Sequence, residues 1–105
     1  MDLDLSNLGA LLGGFQQKMQ EMKEKAAAAR CTGEAAGGLV KITLTGTYEV
    51  VSVSIAEGAF EDRELCEDLV RAALAEALRG VREETERNLR DLSGGLPLPP
   101  GLLPF

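Results

Sequence analysis

The sequence predicts an α+β fold: a long N-terminal helix, a three-stranded antiparallel sheet, a long C-terminal helix and an extended Pro-rich tail. Three observations support this prediction. Apolar residues recur every three or four positions in the first thirty residues, apolar and polar residues alternate between glycines in the middle, and residues 62–92 lack proline. A chain of 105 residues forms one core of marginal size, for which pairing with a second copy is a common remedy.

The predicted N-terminal helix has an apolar seam with an unbroken alternation of three-residue and four-residue steps. Its members are Leu5, Leu8, Leu12, Phe15, Met19, Met22, Ala26 and Ala29. This heptad spacing fits either a partner helix or the sheet of the same domain. Because Gly9, Gly13 and Gly14 are poor helix formers, we expect the helix to be most secure from Phe15 onward.

The middle of the chain contains short runs of alternating residues that predict strands. Residues 39–44 and 51–55 alternate apolar and polar side chains, and residues 45–47 between them predict a tight antiparallel hairpin. A third strand is predicted near residues 31–34, with residues 36–38 as the turn that follows it.

The C-terminal helix is predicted over residues 62–92, with Asp62 as its N-cap. The helical wheel gathers apolar residues into one arc that we expect to cover the sheet. These residues are Cys66, Val70, Ala73, Leu74, Ala77, Leu78, Val81 and Leu92.

A second arc of the same helix, about 100° wide, carries a basic stripe that consists of Arg71, Arg79, Arg82 and Arg90. Asp68 and Glu86 project into this arc, so ion pairs within the helix are expected to neutralise much of the stripe. The alternative is that the guanidinium groups are available to an anionic partner, since arginine suits phosphate as well as carboxylate.

The composition limits the class of protein. Seventeen acidic and eleven basic residues give a net charge of -6, so any binding to a polyanion must come from a local cluster of cations. Asp2 and Asp4 stand where a signal peptide would be basic, and no apolar run reaches the ~18 residues of a membrane span, which favours a soluble cytoplasmic protein.

No enzymatic site, cofactor, metal or small-molecule substrate is predicted. The chain has no histidine to act as a general base, and the carboxylate clusters fit a helix start and a solvated helix face. Cys31 and Cys66 lie too far apart in sequence for a CxxC pair, and we expect both to be reduced, core or semi-buried thiols.

Four segments resemble, in the same order, the YbaB/EbfC family of bacterial nucleoid-associated proteins. The segments are QQKMQEM at residues 16–22, TGEAAGGLVKIT at 32–43, GTYEVVSV at 46–53 and LPLPPGL at 96–102. No single segment is specific, but their joint order covers about 90 residues. The resemblance implies one DNA-binding domain over residues 1–95 and an extended tail over residues 96–105.

The resemblance also implies a function. Family members are homodimers that bind duplex DNA largely without sequence preference, associate with the nucleoid and influence its organisation and gene expression. The basic residues best placed to contact phosphate are then Lys18, Lys23, Lys25 and Arg30 in the first helix and Arg71, Arg79, Arg82 and Arg90 in the second. Such contacts act by counterion release and weaken steeply with salt.

The alternative is a protein-binding adaptor or assembly module, for example in DNA repair or recombination, with little direct affinity for DNA. The heptad seam, the acidic charge and the apolar tail would then meet a protein partner. The apolar residues of the tail are Leu96, Leu98, Leu102, Leu103 and Phe105. The salt dependence of binding distinguishes the two hypotheses, because apolar docking is far less sensitive to ionic strength than phosphate binding.

Overall fold

The computed structural model describes residues 5–93, and the side chains of residues 8–91. Its elements are α1 (Leu5–Ala28), β1 (Arg30–Ala35), β2 (Val40–Thr45), β3 (Val50–Ile55) and α2 (Arg63–Ser93), with short 3-10 turns at Ala36–Gly38 and Glu57–Glu61. This order confirms the predicted α+β class. The predicted tail lies outside the described residues, as does the side chain of Leu92.

The three strands form an antiparallel sheet in the order β1-β2-β3, as predicted. Thr43 pairs with Ser52 but Leu44 pairs with Val50, so Val51 is an extra residue that forms a β-bulge. The connection between β2 and β3 is residues 46–49, longer than the predicted tight turn. Its backbone includes Tyr48 in the left-handed region, with a φ of 65°.

Helix α2 packs across β1 and β2 and forms the core with them. Small side chains make this close approach possible: Ala73 and Ala77 are fully buried, and a Cβ atom on Gly33 would overlap the Ala73 carbonyl oxygen. The buried residues of the core are Ala35, Val40, Ile42, Leu44, Ala59, Ala73, Ala77 and Val81.

The predicted apolar face of α2 is correct for its centre and wrong for Leu74. Ala73, Ala77 and Val81 are fully buried, but Leu74 retains 38% of its exposure. Each step of four residues rotates the contact by about 40°, so the buried path runs from Ala73 through Thr85 and leaves Leu74 beside it. Cys66 and Val70 are half buried.

Helix α1 rests on its own domain only at its C-terminal half. Met22 and Ala26 are buried, and the Gly46 amide donates a hydrogen bond to the Ala26 carbonyl at 2.8 Å. At the N-terminal end of the seam, Leu12 and Phe15 are each 57% exposed. The helix begins at Leu5, the first residue of the predicted seam, and its greater security from Phe15 onward stays a prediction. The molecule is elongated, with extents of 71 × 21 × 17 Å.

Candidate nucleic-acid interface

The basic stripe of α2 is exposed along its whole length. Arg71 lies about 28 Å along the helix from Arg90, which matches about eight base pairs of duplex. Arg90 pairs with Glu86 at 3.7 Å. Arg71, Arg79 and Arg82 make no ion pair within residues 8–91. The expectation that intrahelical pairs neutralise the stripe is therefore wrong for three of its four members.

The remaining arginines of α2 are held by neighbouring carboxylates. Arg63 pairs with Glu67 at 3.1 Å, and Arg87 pairs with Glu84 at 2.7 Å. The carboxylates of α2 thus neutralise the arginines outside the stripe more than those within it.

Lys18 and Lys25 of α1 lie beside the last turns of α2. They line a cleft between the two helices, which has a volume of about 260 Å³. The cleft is lined by Lys18, Glu21, Met22, Lys25, Asn88 and Asp91. Neither lysine forms an ion pair with another described residue. The structure therefore places two of the eight predicted contact residues together on this cleft.

The other two predicted contacts of the first helical region lie apart from the cleft. Lys23 is exposed, but it projects about 140° around α1 from Lys18. Arg30 opens β1, and its guanidinium Nη1 donates to the carbonyls of Ala27 and Ala29 at 3.0 Å each. These bonds satisfy carbonyls at the C-terminal end of α1, so Arg30 also has a structural role there.

Glu84, Arg87 and Asn88 form a polar cluster on α2, near Cys31 of β1 and Lys25 of α1. The hydrogen bond from Arg87 holds the pKa of the Glu84 carboxyl below its usual value, with smaller contributions from Lys25 and Asn88. Burial raises the pKa of the nearby Cys31 thiol, and the negative charge of Glu84 adds to the effect. Cys31 and Cys66 are free and half buried, as the sequence predicted.

Asn88 is the residue of this region that the sequence reasoning missed. Its side chain is 5% exposed, and its Nδ2 atom has no hydrogen-bond partner among the described residues. The available signal was its position: Asn88 continues the buried path that runs through Ala77, Val81 and Thr85 at steps of four and three residues. Asn88 lies one helical turn after Glu84, and it contributes to the lowered pKa of that carboxyl.

The described residues contain neither a membrane span nor a metal centre. No helix within residues 5–93 combines the length and the apolarity that crossing a bilayer requires. The same part of the chain brings no three His, Cys, Asp or Glu residues together in a way that could hold a metal ion.

The fold is similar to that of a solved protein. The crystal structure of the uncharacterized protein HP0035 from Helicobacter pylori matches with a TM-score of 0.79 and 26% sequence identity. The match covers 88% of this chain and 99% of that one. The arrangement of two long helices around a three-stranded sheet is therefore not peculiar to this sequence.

The sequence has relatives over most of its length. A nucleoid-associated protein from Polynucleobacter necessarius subsp. necessarius (strain STIR1) is 44% identical over 92 residues, which are 87% of this chain and 86% of that protein. A nucleoid-associated protein from Polynucleobacter asymbioticus is 42% identical over the same shares of both chains. Residues 1–96 match the YbaB/EbfC DNA-binding family. The resemblance noted in the sequence is thus confirmed, and the chain belongs to the YbaB/EbfC family of non-enzymatic DNA-binding proteins.

Proposed function

We propose that this protein is a nucleoid-associated homodimer of the bacterial cytoplasm that binds duplex DNA through phosphate contacts, largely without sequence preference. Its relatives carry the name nucleoid-associated protein. Binding of this kind neutralises phosphates and releases counterions, and it requires no base readout. Through such binding the protein would organise the nucleoid and influence gene expression.

The observation that carries the proposal is the set of three exposed, unpaired guanidinium groups on α2. Arg71, Arg79 and Arg82 have no carboxylate within ion-pair distance among residues 8–91, although the chain has an excess of acidic residues. An anion that binds these arginines therefore does not have to displace a carboxylate of the same chain. Lys18 and Lys25 supply further unpaired charge at the cleft.

The exposed side of β3 supports a homodimer. Val50 and Val53 pair with Leu44 and Ile42, so they lie on the sheet face that α2 covers elsewhere. They are nevertheless 65% and 55% exposed, because α2 packs mainly over β1 and β2. Exposed apolar edge strands are unusual in monomers and are commonly covered by another chain. A second copy would also double the phosphate contacts per particle.

The test is a fluorescence anisotropy titration with a random 30-bp duplex at several salt concentrations. The decisive variant replaces Arg71, Arg79 and Arg82 together by Gln. The matched control replaces three paired cations by Gln, which removes the same number of charges. These are Arg63, Arg87 and Lys41, whose Nζ atom lies 3.8 Å from Oε1 of Glu34. We expect the first variant to lose affinity and to flatten the salt dependence by about 0.9 in log–log slope for each lost phosphate contact.

Equal losses in the two triple variants would mean that overall charge, and not the basic stripe, determines binding. Absence of binding by the unchanged protein at low salt would contradict direct DNA binding. Light scattering at micromolar concentration tests the dimer, whose mass is twice the 11.2 kDa of the chain. A monomer mass would contradict the proposed assembly.

One observation favours the protein-binding alternative. The N-terminal half of α1 exposes large apolar side chains: Leu8, Leu11, Leu12 and Phe15 are 43–66% exposed. Such a face suits docking of another protein, whether as an adaptor in repair or recombination or as part of a larger assembly. The tail at residues 96–105 remains a second proposed surface for a protein partner. Binding to either surface would change little between low and high salt.

A further inference from the structure

The N-terminal half of α1 has an apolar face that the other described residues leave largely exposed. At about 100° per residue, its side chains fall in the same arc as Met22 and Ala26, which are buried against the rest of the domain. The face therefore continues the seam of α1 beyond the point where the domain covers it. We call it the open face, and it consists of Leu8, Leu11, Leu12 and Phe15, which are 43–66% exposed.

Helices α1 and α2 run antiparallel, and α1 extends past the end of α2. Lys25 lies near Glu84, whose pKa it helps to lower, and Lys18 lines the cleft with Asp91. Positions along α1 thus fall as positions along α2 rise, and α2 ends at Ser93. The 71 Å extent of the molecule exceeds the ~46 Å length of α2, in agreement with a projecting end of α1. The open face lies on this projecting end.

The chain that follows Ser93 starts beside the open face. Twelve residues follow Ser93, and an extended Pro-rich segment advances about 3.1 Å per residue. Leu96 and Leu98 then lie about 9 and 15 Å beyond Ser93, within the ~17 Å by which α1 projects. Residues 102–103 would lie about 28–31 Å beyond Ser93, past the start of α1. No reversal of the chain is needed for the tail to follow the open face.

The two segments match in charge. The chain has seventeen acidic and eleven basic residues, but none falls within residues 5–17 or residues 92–105. Contact between these segments therefore removes apolar surface from water without desolvating a charged side chain. The tail is also tethered beside the face, so its effective concentration there is on the order of millimolar. Its prolines restrict the free chain and reduce the entropy lost on docking. Another molecule has neither advantage.

We propose that residues 96–98 of the tail lie along the open face of α1 in the same molecule, with Leu96 and Leu98 as the contacting side chains. The contact would support a part of α1 that contains three glycines and that the sheet does not cover. This docking is independent of DNA binding. It also means that the two surfaces available to a protein partner cover each other, so that such a partner must displace the tail.

The test uses Phe15→Trp in the full chain as a fluorescent reporter. The chain contains no other tryptophan, so all indole emission comes from the open face. We expect emission at short wavelength and weak quenching by acrylamide. Adding Leu96→Ser and Leu98→Ser should raise the quenching constant about twofold or more, because the ring would return to the 57% exposure of Phe15.

The matched control combines Phe15→Trp with Leu102→Ser and Leu103→Ser. It removes the same number of leucines from the same tail, but at positions beyond the reach of the open face. We expect its quenching constant to equal that of Phe15→Trp alone. An equal rise in both tail variants would overturn the assignment of residues 96–98.

Two further outcomes would overturn the proposal. Strong quenching in Phe15→Trp that neither tail variant changes would show that the face is open in solution. Weak quenching that neither variant changes, or that dilution of the protein removes, would show that a second copy or another segment covers the face. Shielding that is independent of protein concentration and lost only with Leu96→Ser and Leu98→Ser supports docking of the tail in the same molecule.

Discussion

The two edge strands of the sheet, β1 and β3, differ in how far the rest of the chain covers them. At the β1 edge, α2 approaches so closely that only a glycine fits at position 33, and the Glu76 carboxylate accepts a hydrogen bond from the Glu34 amide at 3.3 Å. At the β3 edge, no hydrogen bond from another described residue closes the outer backbone, and Val50 and Val53 are more than half exposed.

This difference separates what the chain completes by itself from what it leaves for a partner. At the β1 edge, which we call the sealed edge, α2 of the same molecule covers the strand and Glu76 binds one of its backbone amides, so changes there should act on folding. The β3 edge is apolar and unsealed, so changes there should act on association with little effect on folding. A position that breaks this rule would show that the two edges are not independent.

The largest effect is expected at the sealed edge from Gly33→Ala. The added Cβ would overlap the Ala73 carbonyl oxygen and lie 2.5 Å from the Ala77 amide nitrogen. Since both are backbone atoms, α2 must move, and we expect a loss of about 3 kcal/mol or more in the free energy of unfolding by urea. Gly13→Ala is the control, because a Cβ atom added there meets no atom of another described part of the chain within 4 Å. It should stabilise α1 by about 0.5–1 kcal/mol.

The corresponding change at the open edge is Val53→Asp. A charge on this exposed face should leave the unfolding midpoint of the monomer nearly unchanged but prevent close contact with a second copy. We expect light scattering to report a monomer and the duplex affinity to fall by roughly 100-fold through loss of avidity. Ser54→Asp is the control, because the adjacent residue lies on the other sheet face opposite Lys41. A dimer that survives Val53→Asp would move the interface away from β3.

The parts of the fold that local chemistry controls could be predicted from the sequence. The sequence predicts Asp62 as the N-cap of α2, and its Oδ1 accepts hydrogen bonds from the amides of Glu64 and Leu65 at 3.0 and 3.2 Å. The three strands and their antiparallel order also follow from alternation and turn residues. These features depend on neighbours in the sequence, so a single sequence contains the information.

The features that depend on docking between distant elements could not be predicted. The bulge at Val51 and the exposure of Leu74 follow from where α2 lies on the sheet, which periodicity does not specify. Asn88 of α2 and Lys18 and Lys25 of α1 line the same cleft only because the two helices pack together. The eight predicted phosphate contacts could be named from the sequence, because the charge of a residue does not depend on the fold. Their grouping at the cleft depends on tertiary structure.

Thr45→Val tests the end of the central strand β2, where the chain turns toward β3. The Thr45 side chain is 5% exposed, and its Oγ1 accepts hydrogen bonds from the amides of Thr47 and Glu49 at 3.1 Å each. Loss of these bonds should destabilise the fold by about 1–2 kcal/mol in urea unfolding. Thr43→Val removes only a bond to the Thr32 hydroxyl on the exposed face and should lose about 0.5 kcal/mol. Equal effects would mean that the turn bonds contribute no more than the cross-strand pair.

The smallest effect is a pH dependence at the sealed side of the molecule. The hydrogen bond from Arg87 lowers the pKa of Glu84 in the folded protein relative to the unfolded chain. A lowered folded-state pKa adds stability above the unfolded value of about 4.3 and loses it as the pH falls through the folded value. Glu84→Gln should therefore reduce the free energy of unfolding by less than about 1 kcal/mol at pH 7, and this reduction should shrink as the pH falls below about 4.3.

Glu67→Gln is the matched control for this measurement. Glu67 also pairs with an arginine of α2, but its side chain is 62% exposed against 22% for Glu84, so water screens the pair more strongly. Its substitution should change the free energy of unfolding less than Glu84→Gln does at pH 7. If the effect of Glu84→Gln persisted undiminished at pH 3, the contribution of Glu84 would come from packing against β1 and not from its charge. The sealed edge would then depend on shape alone.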